Sequence, residues 1–164
     1  MKPDVVGVNL AWLVPGVVGG SEEYTLRLLR AVSDADPDGL RFRVYGQPAL
    51  FTAHPDLAQR FEAVATPAWG GGKPGRIGIE WSWLAAVSRH DDLVHHGGGV
   101  VPIVRAAPSV VTIHDLQPLD LPQHFSPVKR RWLERMIPRA VAAARLVLCP
   151  SRYTAERIRD RFGV

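Results

Sequence analysis

Disulfides, membrane spans and low-complexity tracts are all missing from this chain. Its single cysteine, Cys149, rules out an internal disulfide. That residue follows Leu146-Val147-Leu148 and is expected to act as a small buried side chain. No apolar run approaches the ~18 residues of a membrane-spanning helix. Met1-Lys2-Pro3-Asp4 leads straight into a strand pattern, without a leader's charged and apolar regions. These absences predict a reducing, cytoplasmic setting.

Several chemical signatures are missing too. There is no Gly-x-Ser-x-Gly elbow, P-loop or dinucleotide fingerprint. No histidine pair has the helical spacing of zinc hydrolases, and no cysteine pair could help one. Serine or cysteine nucleophiles and a metal centre are therefore disfavoured, and no metal or resident cofactor is expected.

What remains is ordinary globular composition: 164 residues, 46% hydrophobic and 22% charged. That length suffices for one domain burying roughly 70% of its unfolded surface. The net charge of +4 conceals an asymmetry, since residues 129–164 hold ten Lys/Arg against three Asp/Glu. A basic segment of this kind fits an anionic partner such as a membrane surface or phosphate, or simply solvated helix faces. Nucleic acid is disfavoured because no nucleic-acid motif accompanies the charge.

Short apolar runs alternate with capped helical patterns. Strands are expected at 5–9, 41–46, 63–65, 93–95, 109–113 and 145–149. Ser21 offers a cap for a helix whose buried stripe would be Tyr24, Leu28, Ala31 and Val32, stopped by Asp36-Pro37-Asp38-Gly39. A short helix over 54–62 and another over 77–89 follow, with a mobile Pro- and Gly-rich loop at 66–75 between them. Ser126-Pro127 opens a long helix with Val128, Trp132, Ile137, Val141 and Ala144 inward, kinked at Pro138. Ser151 caps a last helix ending at Phe162-Gly163. The expected fold is an α/β, three-layer Rossmann-like domain with a mostly parallel sheet.

In such sheets ligands bind beyond the carboxyl ends of the strands, where strand order reverses. Two segments fall on that edge. Gly19 and Gly20 precede a helix and would let a ligand approach backbone N–H groups closely. Glu22 and Glu23 would repel a phosphate there and suit sugar hydroxyls. His114 and Asp115 close a buried strand, so the imidazole could hydrogen-bond a hydroxyl or steady charge, with Asp115 orienting it. A structural alternative stays open, in which His114 simply bonds to backbone. His95 and His96 end the neighbouring strand and are further candidates.

Taken together, the chain resembles the N-terminal half of a family 4 glycosyltransferase of the GT-B fold. The resemblance rests on Gly19-Gly20-Ser21-Glu22-Glu23-Tyr24, Asp92-Leu93-Val94-His95 and Thr112-Ile113-His114-Asp115-Leu116-Gln117-Pro118. It continues through 122–125, Pro150-Ser151-Arg152-Tyr153-Thr154 and Phe162-Gly163-Val164. It implies transfer of a sugar from a nucleotide-sugar to an acceptor hydroxyl with retention, usually without a metal. Gly19 and Gly20 would then line the donor diphosphate and acceptor pocket. His114 and Asp115 would lie near the reacting sugar, with His95 at the cleft floor. Ser151 joins the substrate-binding candidates. His96-Gly97-Gly98-Gly99 departs from the family's larger residues.

By the same resemblance, residues 1–164 are a single domain, and a C-terminal domain holding most of the nucleotide-sugar is absent. This half alone would then be inactive. A sugar or lipid-linked acceptor and peripheral anionic membrane are the implied partners. The competing reading is a standalone sugar- or nucleotide-binding α/β module without catalysis.

Overall fold

The computed structural model describes residues 4–67, 75 and 77–164. Its first half comprises β1 (Asp4–Leu10), α1 (Gly20–Ala35), β2 (Leu40–Gly46), α2 (Pro48–Ala53), α3 (Pro55–Arg60) and β3 (Glu62–Ala65). A π-helical turn, Ile79–Trp83, runs into α4 (Leu84–Val87). Then come β4 (Leu93–His96), β5 (Ser109–Thr112), α5 (Gln117–Asp120), a 3-10 turn at Pro122–His124, α6 (Pro127–Ala143), β6 (Leu146–Leu148) and α7 (Arg152–Phe162).

The six strands form one sheet in the order β3-β2-β1-β4-β5-β6, and every neighbouring pair is parallel. The expected Rossmann-like α/β fold is therefore present. Strand order reverses between β1 and β4, so the ligand crevice of this architecture lies beyond Leu10 and His96.

Register divides the core between the two faces. Val8 pairs with Val44, and with Leu10 they meet Leu26 and Leu29 of α1, Leu50 of α2 and Leu57 of α3. Asn9, His96 and Val111 point the other way. On that face Val111 and Ile113 pack with Ile137, Ala140 and Val141 of α6 and Ile158 of α7.

Helix boundaries follow local chemistry. Ser126 and Ser151 accept hydrogen bonds from Lys129 N and Thr154 N as caps. Gly163 closes α7 at φ 69°. Ser21 is not a cap: the cap position lies two residues earlier, at Gly19, whose φ 61°, ψ −127° is a conformation that only glycine adopts without strain. The α1 stripe is rotated from the expected one, with Thr25, Leu26 and Leu29 buried and Ala31 exposed. Val128 also stands outside, 81% exposed, while Met136, Ile137, Ala140 and Val141 form the inner face of α6.

The helix expected over 54–62 is α3, Pro55–Arg60, and an unexpected helix, α2, precedes it, the two divided at His54. Pro55 disfavours helical backbone in the residue before it, and His54 adopts φ −130°, ψ 71°. The π turn carries Leu84 N–H to Ile79 O, and Ile79, Leu84 and Ser88 are the buried positions of this segment. Most of the loop expected at 66–75 lies outside the described residues.

A buried polar network fastens the amino-terminal half of the sheet. Tyr45 donates to Asp91 Oδ2 at 2.7 Å, and Arg43 bridges Asp91 at 2.6 Å and Glu62 at 2.7 Å. Burial holds both the Tyr45 phenol and the Asp91 carboxyl above their ordinary pKa values. Gly7 leaves the space this network fills. A Cβ there would collide with Asp91 Oδ2 and lie 2.9 Å from the Tyr45 ring. Gly7→Ala should therefore lower unfolding stability by about 1–3 kcal/mol, as overpacking usually does. Urea denaturation checks this, and a midpoint equal to the parent's would contradict the packing described.

Candidate functional site

The crevice is built from three strand ends. Asn9, near the end of β1, is 1% exposed, so its amide needs partners. Its Oδ1 accepts from Ala11 N at 3.1 Å, and its Nδ2 faces Glu80 Oε1 at 3.0 Å and His96 Nδ1 at 3.2 Å. That arrangement makes His96 Nδ1 an acceptor and leaves Nε2–H to donate to Ser109 Oγ at 3.3 Å. His96 is thus a neutral core histidine, 2% exposed. Burial, with His95 and Arg105 adding repulsion, pushes its pKa down to about 3.

Beyond β1 the chain turns, and Trp12 Nε1 donates to Asn9 O at 3.2 Å. The indole lies where a side chain at Gly98 would be: a Cβ there would sit 2.7 Å from Trp12 Cγ. Gly98 therefore makes room for a tryptophan. His114 lies beside this wall. Its Nε2 donates to Gly97 O at 3.0 Å, and its ring meets Tyr24 of α1 edge-on at 5.4 Å and Trp12 at 6.4 Å. The bond to Gly97 O places a hydrogen on Nε2 and leaves Nδ1 as the ring nitrogen not engaged by that carbonyl.

A chain of hydroxyls holds the His114 backbone. Thr154 Oγ1 donates to His114 O at 3.2 Å, and Ser151 Oγ lies 2.9 Å from that hydroxyl while accepting Thr154 N–H. Ser151 thereby ties α7 to the end of β5. Asp115 is exposed, and its Oδ1 accepts Gln117 N at 2.9 Å, which shapes the entry to α5. On the sheet face opposite His96, His95 Nε2 contacts Thr112 Oγ1 at 2.7 Å. Burial and then neighbouring His114 push its pKa down to about 4.

Gly19 and Gly20 are exposed, and nothing stands within 4 Å of where their Cβ atoms would be. Tyr24, one turn along α1, brings that helix entry to His114. The two glutamates part company. Glu23 pairs with Arg27 at 2.6 Å on the outer surface. Glu22 turns back to Gly16 N at 2.8 Å and His54 Nε2 at 3.2 Å.

Of the sequence candidates, His114, Asp115, Gly19, Gly20 and Ser151 share this edge. His96 lies beneath it as a structural group. Asn9, Trp12, Tyr24, Thr112 and Thr154 were not anticipated in their roles. Only the Asn9–Ala11–Trp12 run past the first strand could have drawn attention to the wall.

A parallel sheet with polar and aromatic groups gathered at its switch point defines a Rossmann-like α/β domain. The family model for Glycosyltransferase Family 4 matches residues 18–164, and the chain belongs to that family. No curated protein matches it.

The two depressed histidines give a pH signature. Unfolded histidine binds a proton near pH 6.5, while native His95 and His96 remain neutral. Their contribution is complete above about pH 6.5 and declines as pH falls toward about 4. Stability should fall by up to about 1.4 kcal/mol per pH unit for each histidine in that window. Asp91, its pKa raised by burial, acts in the opposite sense through the carboxylate range. Urea unfolding from pH 7.5 to 5 tests this. A flat profile would place both rings in contact with water.

Proposed function

We propose that this domain is the acceptor-side half of a retaining glycosyltransferase, which moves a sugar from a nucleotide-sugar to an acceptor hydroxyl. The observation that carries the reading is His114, held between Gly97 O, Tyr24 and Trp12 at the switch point. An imidazole fixed from two sides is preorganised, which is what makes a polar group useful at a reacting centre. With Nε2–H on Gly97 O, the remaining Nδ1 accepts a hydroxyl hydrogen of the transferred sugar. The free oxygen of Asp115 takes a neighbouring hydroxyl.

Gly19 and Gly20 give the donor diphosphate and the acceptor an unobstructed path to backbone. The departing phosphate itself accepts the acceptor's proton, so no side chain here need be a general base. The nucleotide is held mainly by a second domain, and the transfer uses no metal or cofactor. Because the carboxylates of Glu22 and Glu23 are engaged within the chain, sugar contacts shift to His114 and Asp115.

His114→Ala in the intact protein should lower kcat by roughly 10²–10³ with a smaller change in KM. His124→Ala, an exposed turn position, should leave both unchanged. Near-normal turnover by the His114 variant would reduce that residue to its bond with Gly97. If the parent binds nucleotide-sugar yet never transfers sugar, the non-catalytic module replaces the enzyme.

The basic segment has a defined place. Arg131, Arg135 and Arg139 recur along the exposed side of α6, and none forms an ion pair among the described residues. The helix starts at the ligand edge with exposed Val128. This face meets anionic lipid in the proposed enzyme, bringing a lipid-linked acceptor toward the crevice. Each basic residue near such a surface contributes about 1 kcal/mol. The parent should therefore sediment with anionic but not neutral vesicles, and an Arg131, Arg135 and Arg139 to Gln variant should remain in the supernatant. Equal sedimentation of parent and variant would leave these arginines as solvated surface.

A further inference from the structure

The connection between β1 and α1 has two unlike halves. In the inner half Leu13 is fully buried and Ala11 nearly so. Gln47 Nε2 reaches Ala11 O at 3.0 Å and Leu13 O at 3.5 Å, and Asn9 Oδ1 holds Ala11 N. The outer half is exposed at Gly16, Val17, Gly19 and Gly20. Among the described residues one side chain bonds to its backbone: Glu22, whose Oε2 accepts Gly16 N–H at 2.8 Å.

The other oxygen of Glu22 is held by His54 Nε2 at 3.2 Å, with only 12% of the glutamate side chain and 22% of the histidine exposed. His54 is itself rigidly mounted. It stands at the break between α2 and α3, its N–H bonded to Leu50 O, with fully buried Leu50 and Leu57 on either side. A path of fixed groups therefore runs from the core through His54 and Glu22 to Gly16.

We propose that His54 is a positioning residue: through Glu22 it sets the shape of the outer half of this loop, and with it the approach to Gly19 and Gly20. Its consequence for turnover rests on the glycosyltransferase reading above; the loop geometry does not. Glu22 is suited to this work because it stands in the first turn of α1, beside the loop it holds. Both oxygens are used, and a charged acceptor makes a stronger bond to Gly16 than a neutral one. Without His54 the carboxylate keeps its rotamers, and the loop loses its reference to the core.

Amide hydrogen exchange in the intact protein, read residue by residue by NMR, tests this. Glu22→Ala should speed exchange at Gly16 roughly tenfold, the equivalent of one lost charged hydrogen bond. His54→Ala should speed it by a smaller factor, with amides of Val110 and Val111 in β5 unchanged. Glu22→Gln should fall between the parent and Glu22→Ala, because its carbonyl can accept from Gly16 and its amide can donate to the other His54 tautomer, but without the charge. In turnover assays Glu22→Ala and His54→Ala should raise KM for the nucleotide-sugar several-fold and change kcat little, with Glu22→Gln again between the parent and Glu22→Ala.

Unchanged Gly16 exchange in both alanine variants would overturn the proposal. So would equal acceleration in β5, which signals general destabilisation. Altered exchange with unaltered KM in an active enzyme would also refute the positioning role. If the parent shows no sugar transfer while Gly16 responds as expected, the clasp stands and the enzymatic reading falls.

Discussion

The parallel pairing of β1 with β4 is the contact on which the rest of this domain depends. It is where the strand order turns back, so the chains leaving β1 and β4 diverge and open a crevice. Asn9 and His96, opposite each other in the register, fill the space beneath that opening with a satisfied polar pair. A buried polar group without partners would cost heavily here, whereas a fully connected one fixes a single arrangement. The positions of Ala11, Trp12 and Gly97 follow from that arrangement, and His114 follows from Gly97.

Aromatic packing and hydrogen bonding reinforce each other at the same edge. Trp12 occupies volume that glycine at 98 leaves open, and Tyr24 and Trp12 border the imidazole on two elements. Thr154 and Ser151 hold the backbone behind it. No element makes this geometry alone: β1, α1, β4, β5 and α7 each supply one restraint. A group so restrained resists local motion, the condition for polar chemistry without reorganisation.

Much of the sheet was legible because a parallel strand covered on both faces must be an apolar run, and Val5-Val6-Gly7-Val8 or Ser109-Val110-Val111-Thr112 has few other uses. Helix faces were less legible. Ala31 and Val128 fit an amphipathic pattern in sequence but point outward, since neighbours rather than periodicity alone select the buried side. The break at His54 could have been inferred from Pro55, while the π turn at Ile79 has no local signature. That Gly19-Gly20 and His114-Asp115 share the carboxyl edge of the sheet was legible from the strand runs before them. Their partners were not, because His114 with Gly97, Asn9 with Glu80 and Glu22 with His54 are joined only by register and helix placement.

In the proposed enzyme His114 is a fixed, ligand-facing imidazole at the switch point. Nitrogen-15 NMR of the histidine side chains, recorded while nucleotide-sugar is added to the intact protein, tests it most directly. His114 should keep its hydrogen on Nε2 throughout, while its Nδ1 resonance shifts with ligand and those of His95 and His96 hold still. A His114 spectrum indifferent to ligand, or one showing the hydrogen on Nδ1, would contradict it.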